Sequence, residues 1–176
     1  MFRRTNAHFH DEGLSNPGTN NQYKQEWIDL INGENHEVYL GLRPLLCFYG
    51  SETKGYPVMS SDDYFLFYEL RAAAVDVKIK KTTMNETMKR ILAQFRTLVE
   101  RGIRHVVLSA FGCGAFGNDP KIMAYAYKIA IQTYGHHFDC IAFGIYDLPF
   151  SKVENYPVFK SIFESDTPSK LNIDVV

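Results

Sequence analysis

Three glycines within six residues, Gly112, Gly114 and Gly117, stand between an apolar run and a proline-started segment in HVVLSAFGCGAFGNDP, residues 105 to 120. Glycine lets a backbone turn tightly and approach a ligand with no Cβ atom in the way. Amide N–H groups in such a loop, backed by the start of a helix, suit an anion such as phosphate. The plain alternative is a glycine-rich turn that binds nothing, but three glycines in six residues exceed what a turn needs. The spacing also fits G-x-G-x-x-G, and Asp147, closing the run CIAFGIYD, stands roughly where a dinucleotide-binding domain wants its ribose-binding acid. Two features count against that second reading, a Rossmann-type NAD-binding oxidoreductase. Phe116 puts a ring inside the loop, and only 29 residues follow Asp147, too few for the remaining strands.

Other reactive side chains give weaker signals. Cys113 lies inside the glycine loop near a helix start, where a thiolate is favoured. A nucleophile would also need a base, and His105 sits at the far end of the preceding strand. His8 and His10, and the adjacent His136 and His137, come without a Cys or carboxylate at metal-ligand spacing, so neither a metal nor a cofactor is expected. Cys47, Cys113 and Cys140 are odd in number and far apart, which predicts reduced thiols in a cytoplasmic or other reducing compartment. The net charge of −1 argues against a general nucleic-acid surface. Lys78 to Arg104 holds eight Lys or Arg against Glu86 and Glu100. That reads as a solvated helix face or as a track for an anionic polymer.

The elements that must position the loop follow from periodicity. Val106, Val107, Leu108, Ala110 and Phe111 predict a strand buried on both faces of a sheet. Asp119 and Pro120 predict an N-cap and first helical residue, and Met123, Ala126, Tyr127, Ala130, Ile131 and Tyr134 recur at helical spacing. A second helix is expected from about Thr83 to Arg101, with Met84, Met88, Ile91, Leu92, Phe95, Leu98 and Val99 buried and its charges on the other face. Residues 1 to 40 form a polar N-terminal segment with one helical candidate, Tyr23 to Ile31. Leu45 to Tyr49 reads as a strand, Gly50 to Asp63 as a loop, and Tyr64 to Val75 as a strand that becomes Ala-rich. A short helix is expected at Tyr156 to Phe163, and a loose tail from Asp166. Alternating strands and helices predict one α/β domain over residues 1–176, a three-layer α/β/α arrangement with a mixed sheet. A 45% hydrophobic content over 176 residues suffices for a single core. No apolar run approaches the ~20 residues of a membrane span, so no membrane partner is expected.

In this setting FGCGAFGNDP, with a strand before it and a helix and an IYD-ending strand after it, resembles the second ligand loop of the macrodomain fold. It is most similar to the microbial type related to poly(ADP-ribose) glycohydrolase. The likeness covers most of Phe65 to Phe163, including FYELRAAAVD and NYPVFKSIF. It implies an ADP-ribose-binding protein of the ADP-ribosyl glycohydrolase lineage, with ADP-ribose or an ADP-ribosylated protein as partner. It further implies that Gly112, Cys113, Gly114, Ala115, Phe116 and Gly117 line the diphosphate, that Phe116 meets the distal ribose, and that Asn118 supports the turn. Tyr146 would reach the adenine or its ribose. On the residues alone, Phe116 reads equally as a core ring and Tyr146 as an ordinary strand-end aromatic.

The family's catalytic loop, a glycine triplet followed after a short spacer by Gln-Glu-Glu, is not found here. The segment that follows it in relatives resembles the opening FRRTN, which implies an N-terminally shortened member that starts just past the catalytic carboxylates. Breaking a ribosyl bond needs a placed carboxylate to protonate the leaving group or activate water. Asn16-Pro17-Gly18, six residues, then Gln25-Glu26 is a thin echo of the motif, with Trp27 in place of its second Glu. A polar surface loop capping the helix that begins near Tyr23 accounts for it better. Glu26 is thus the fallback catalytic candidate, and hydrolase and binding-only module both stay open.

Overall fold

A computed structural model describes residues 25–51, 54–147 and 154–164, and the backbone of 172–175. The FRRTN segment, the Asn16 to Gly18 turn, and His8 and His10 lie outside the described residues. Two long helices organise the molecule. The first of them, α2 (Met84–Glu100), starts at Thr83, whose hydroxyl accepts from the Glu86 amide at 3.2 Å. The second, α3 (Pro120–Tyr134), starts at Asp119, whose carboxylate accepts from the amides of Lys121 and Ile122. Ahead of them come α1 (Gln25–Ile31), β1 (Tyr39–Leu40), β2 (Leu45–Cys47), β3 (Phe65–Phe67) and β4 (Leu70–Arg71). Behind or between them lie β5 (His105–Leu108), β6 (Cys140–Phe143), α4 (Asn155–Glu164) and β7 (Asn172–Val175).

The fold is α/β, with strands running both ways, but the ladders are separate. β1 pairs antiparallel with β4 and β2 with β3, while β5, β6 and β7 form a parallel trio in that order. Three expectations need correction. The strand foreseen over Tyr64 to Val75 is two short pieces, because Phe65–Phe67 pairs with β2 and Leu70–Arg71 with β1, and the chain from Ala72 to Val75 joins no ladder. The strand before the glycine loop is not buried on both faces. It forms one edge of the trio, and Val107 is 73% exposed. The tail is not loose throughout, since Asn172–Val175 pairs with the free side of β6. Its Ile and Val are strand formers, and an available ladder outweighs a short polar context.

The core lies between the helices and the parallel trio. Ile91, Phe95 and Leu98 of α2 meet Met123 and Tyr127 of α3, Ile141 and Phe143 of β6, and Phe159 and Phe163 of α4. Tyr127 stands edge-on to Phe143 at 5.2 Å, and Phe143 stacks on Phe163 at 4.9 Å. Such pairs add about 0.5–1.5 kcal/mol each beyond the area they bury. The Tyr127 hydroxyl donates to Gln94 Oε1 at 3.1 Å, the acceptor that a buried phenol requires.

One basic residue departs from the expected solvated face. Arg90 is 8% exposed and donates to Asn32 Oδ1 at 2.6 Å, to the Ala73 carbonyl at 2.7 Å and to Glu86. It ties α1, α2 and the Ala-rich segment together, a role that helical periodicity cannot reveal. Trp27 of α1 is buried against Tyr39, with the Arg71 guanidinium over both rings.

Candidate functional site

The chain leaves β5 at Leu108 and folds the glycine loop back on itself. Cys113 donates to the Ala110 carbonyl, Gly117 to Gly114, and Asn118 to Gly112, at 3.0 to 3.1 Å. The three consecutive amides of Gly114, Ala115 and Phe116 have no hydrogen-bond partner among the described residues. They border an open concavity of about 230 Å³ lined by Ala72, Ala74, Phe111, Gly112, Gly114, Ala115 and Phe116. Successive unpaired N–H groups around a hollow form an anion-binding nest. No lining residue is charged, so the donors are main-chain atoms.

Sequence explains why the loop holds this shape. Gly112 has φ +73°, and a Cβ there would fall 2.4 Å from Ala74 Cβ and 2.6 Å from Asn118 Nδ2. Only glycine satisfies both the angle and the space. The room it leaves is filled by the buried Asn118 amide, which donates to the Val75 carbonyl at 2.8 Å and the Gly112 carbonyl at 3.1 Å. Val77 N donates to the Phe116 carbonyl at 3.1 Å, a second stitch to the Ala-rich segment. Gly117 also has a positive φ, +69°. Gly114 does not, and a Cβ on it would meet nothing within 4 Å.

The residues singled out from sequence therefore divide. Gly112, Gly114, Ala115 and Phe116 line the hollow, and the Phe116 ring is half-buried beside it rather than in the core. Cys113 and Asn118 lie buried behind the loop. Tyr146 is 72% exposed and is not among the lining residues. The helix start, expected to help hold an anion, is already occupied, because Asp119 takes the amides of Lys121 and Ile122. Cys113 runs opposite to the expectation of a thiolate. Burial, reinforced by the charge of Asp119, pushes its thiol from 9.0 up to about 12.

Asp147 has other work than a ribose. Its two carboxylate oxygens accept from the amides of Asn155 and Tyr156, both at 2.9 Å, capping α4. Glu26 is exposed in the first turn of α1 and is not among the residues lining the hollow. His136 and His137 lie ring to ring at 3.9 Å, and no group of three or more metal-ligating side chains occurs among the described residues. Half of the eight basic residues of that stretch are paired, Lys89, Arg90, Arg96 and Arg104 with Glu34, Glu86, Glu100 and Asp139. No helix among the described residues is long and apolar enough to cross a membrane.

Sequence reasoning missed Ala72, Ala74 and Phe111 as lining residues. The triplet of alanines in FYELRAAAVD was the available signal, since small side chains let a neighbouring backbone come close. A larger open groove of about 800 Å³ follows the free edge of β5, between it and Phe65 to Leu70, and shares Ala72 and Phe111 with the hollow.

No family model matches the sequence, and neither does any curated protein. Solved structures do. Poly(ADP-ribose) glycohydrolase from Deinococcus radiodurans, crystallised with ADP-ribose, superposes with a TM-score of 0.61 at 18% identity over 77% of this chain. The enzyme from Thermomonospora curvata, bound to the inhibitor ADP-HPD, superposes with a TM-score of 0.58 at 19% identity over 69% of this chain. The fold is thus that of the macrodomain-like glycohydrolases. This chain spans 58% of the length of the first and 47% of the second.

Proposed function

We propose that this chain is an ADP-ribose-binding protein of the ADP-ribosyl glycohydrolase lineage, seating the diphosphate on the amides of Gly114, Ala115 and Phe116. The observation that carries the reading is the run of three unpartnered amides around an uncharged hollow. The shared fold supports it, because a neighbour of that fold was crystallised with ADP-ribose. The ligand is ADP-ribose, free or attached to a modified protein, in a reducing compartment that suits three free thiols. Asp147, engaged in capping α4, gives the NAD-dependent oxidoreductase no ribose ligand.

Turnover is a separate matter from binding. Positioning a substrate lowers the barrier but supplies no proton, and among the described residues none lining the hollow is acidic. The expected outcome is binding of ADP-ribose with slow or absent release from modified protein, which an ADP-ribose release assay checks. Calorimetry tests the binding. Gly114→Val adds a side chain in open space, so it leaves the fold intact while obstructing the nest. It should weaken ADP-ribose by at least roughly tenfold, about 1.4 kcal/mol. A folded variant that binds as tightly as the parent would remove the loop from consideration, and a parent that prefers NAD would reverse the reading.

A further inference from the structure

We propose that Lys78 supplies the positive charge that holds the diphosphate at this loop, an inference that rests on the ADP-ribose reading above. The nest needs such a charge. Its lining is neutral, and two carboxylates are fixed on the adjoining segments by hydrogen bonds to backbone amides: Asp119 at the start of α3, and Asp76, which accepts the Lys78 amide at 3.0 Å. Backbone amides alone carry only partial charges against a dianionic group, so a full positive charge at the loop lowers the cost of bringing it in.

Lys78 is placed to supply that charge. The Ala-rich segment is stitched to the loop at Val75 and Val77, which brings the next residue over Gly117. Lys78 Cε and Cγ lie 3.3 and 3.8 Å from where a Gly117 Cβ would be, so its stem rests on the bare loop backbone. The apolar stem lies on the protein while the ammonium stays in solvent. No carboxylate pairs with that ammonium among the described residues, in contrast to Lys89, Arg90, Arg96 and Arg104. Lys78 does not line the hollow itself, but its stem lies on Gly117, next to Phe116 of the nest, and a flexible lysine without a carboxylate partner among the described residues can reach a ligand seated there.

The test is calorimetry of ADP-ribose with the full chain and with Lys78→Met, Lys78→Arg and the control Lys121→Met. Titrations run from about 0.01 M to about 1 M salt, where the screening length shrinks from about 30 Å to about 3 Å. Lys78→Met should weaken binding roughly tenfold at low salt, the worth of one charge-assisted hydrogen bond, and should flatten the salt dependence. Lys78→Arg should keep most of the affinity, and Lys121→Met should change it less than Lys78→Met. Parental binding that survives Lys78→Met with the same salt dependence overturns the role of Lys78 alone, as does a larger loss in Lys121→Met. A parent that does not bind ADP-ribose overturns the underlying reading and this one with it. Circular dichroism melts on each variant separate loss of binding from loss of fold.

Discussion

Cys113 is 5% exposed in the same loop that borders the hollow, with Sγ 3.7 Å from the Phe111 carbonyl oxygen. A residue type that suggests nucleophilic chemistry is made inert by its surroundings, because burial disfavours the thiolate. The consequence is measurable in stability. Below pH 9 the thiol is protonated whether the chain is folded or not. Between 9 and about 12 the unfolded chain loses the proton and the native chain keeps it, so stability declines as pH rises through that window. Tyr127, buried and also shifted upward, adds to the decline. Denaturant melts at about pH 8 and about pH 10 should show a smaller loss in Cys113→Ala than in the parent. Equal losses in the two proteins would mean that the thiol titrates normally. At neutral pH a thiol reagent should reach Cys113 only on unfolding.

At the scale of elements, Asp147 shows how the same residue can be read two ways. An acid at the end of a strand fits either a ribose ligand or the cap of a helix still to come. The structure decides for the cap, with both oxygens on the first amides of α4. Asp147→Ala should therefore cost about 1 kcal/mol of stability in a thermal melt, with ADP-ribose affinity unchanged. Loss of affinity without loss of stability would restore the ribose role. The long helices were legible because α2 and α3 repeat their apolar stripe over four turns or more, and because Thr83 and Asp119-Pro120 mark their starts. Of the short strands, β2 falls within the expected Leu45 to Tyr49 and β3 and β4 within the expected Tyr64 to Val75, whereas β1 was missed, since two residues carry no period. In the site, the glycines were legible by type, whereas Ala72, Ala74 and Lys78 were not. They reach the loop through the Asn118 and Val77 stitches, contacts across about forty residues that no local pattern encodes.

At the scale of the molecule, β5 is an outer strand of the parallel trio among the described residues, and that edge borders the larger groove. Val107, Phe65 and Leu66 are exposed along it. A free strand edge beside apolar side chains is a template for pairing with another chain. Val107→Lys should lower concentration-dependent association in sedimentation while shifting stability by no more than about 0.5 kcal/mol. Association that is unchanged would place the sticky surface elsewhere. A different consequence follows from the donors of the nest, which are main-chain atoms. Every residue type except proline carries them, so a small replacement such as serine at Ala115 need not erase the hydrogen bonds offered to an anion. What the hollow requires is a shape, held by the vacant side-chain position of Gly112 and the amide of Asn118 that fills it. A hollow built in this way follows the path of the chain more than its spelling, and is legible in a fold before it is legible in residue types.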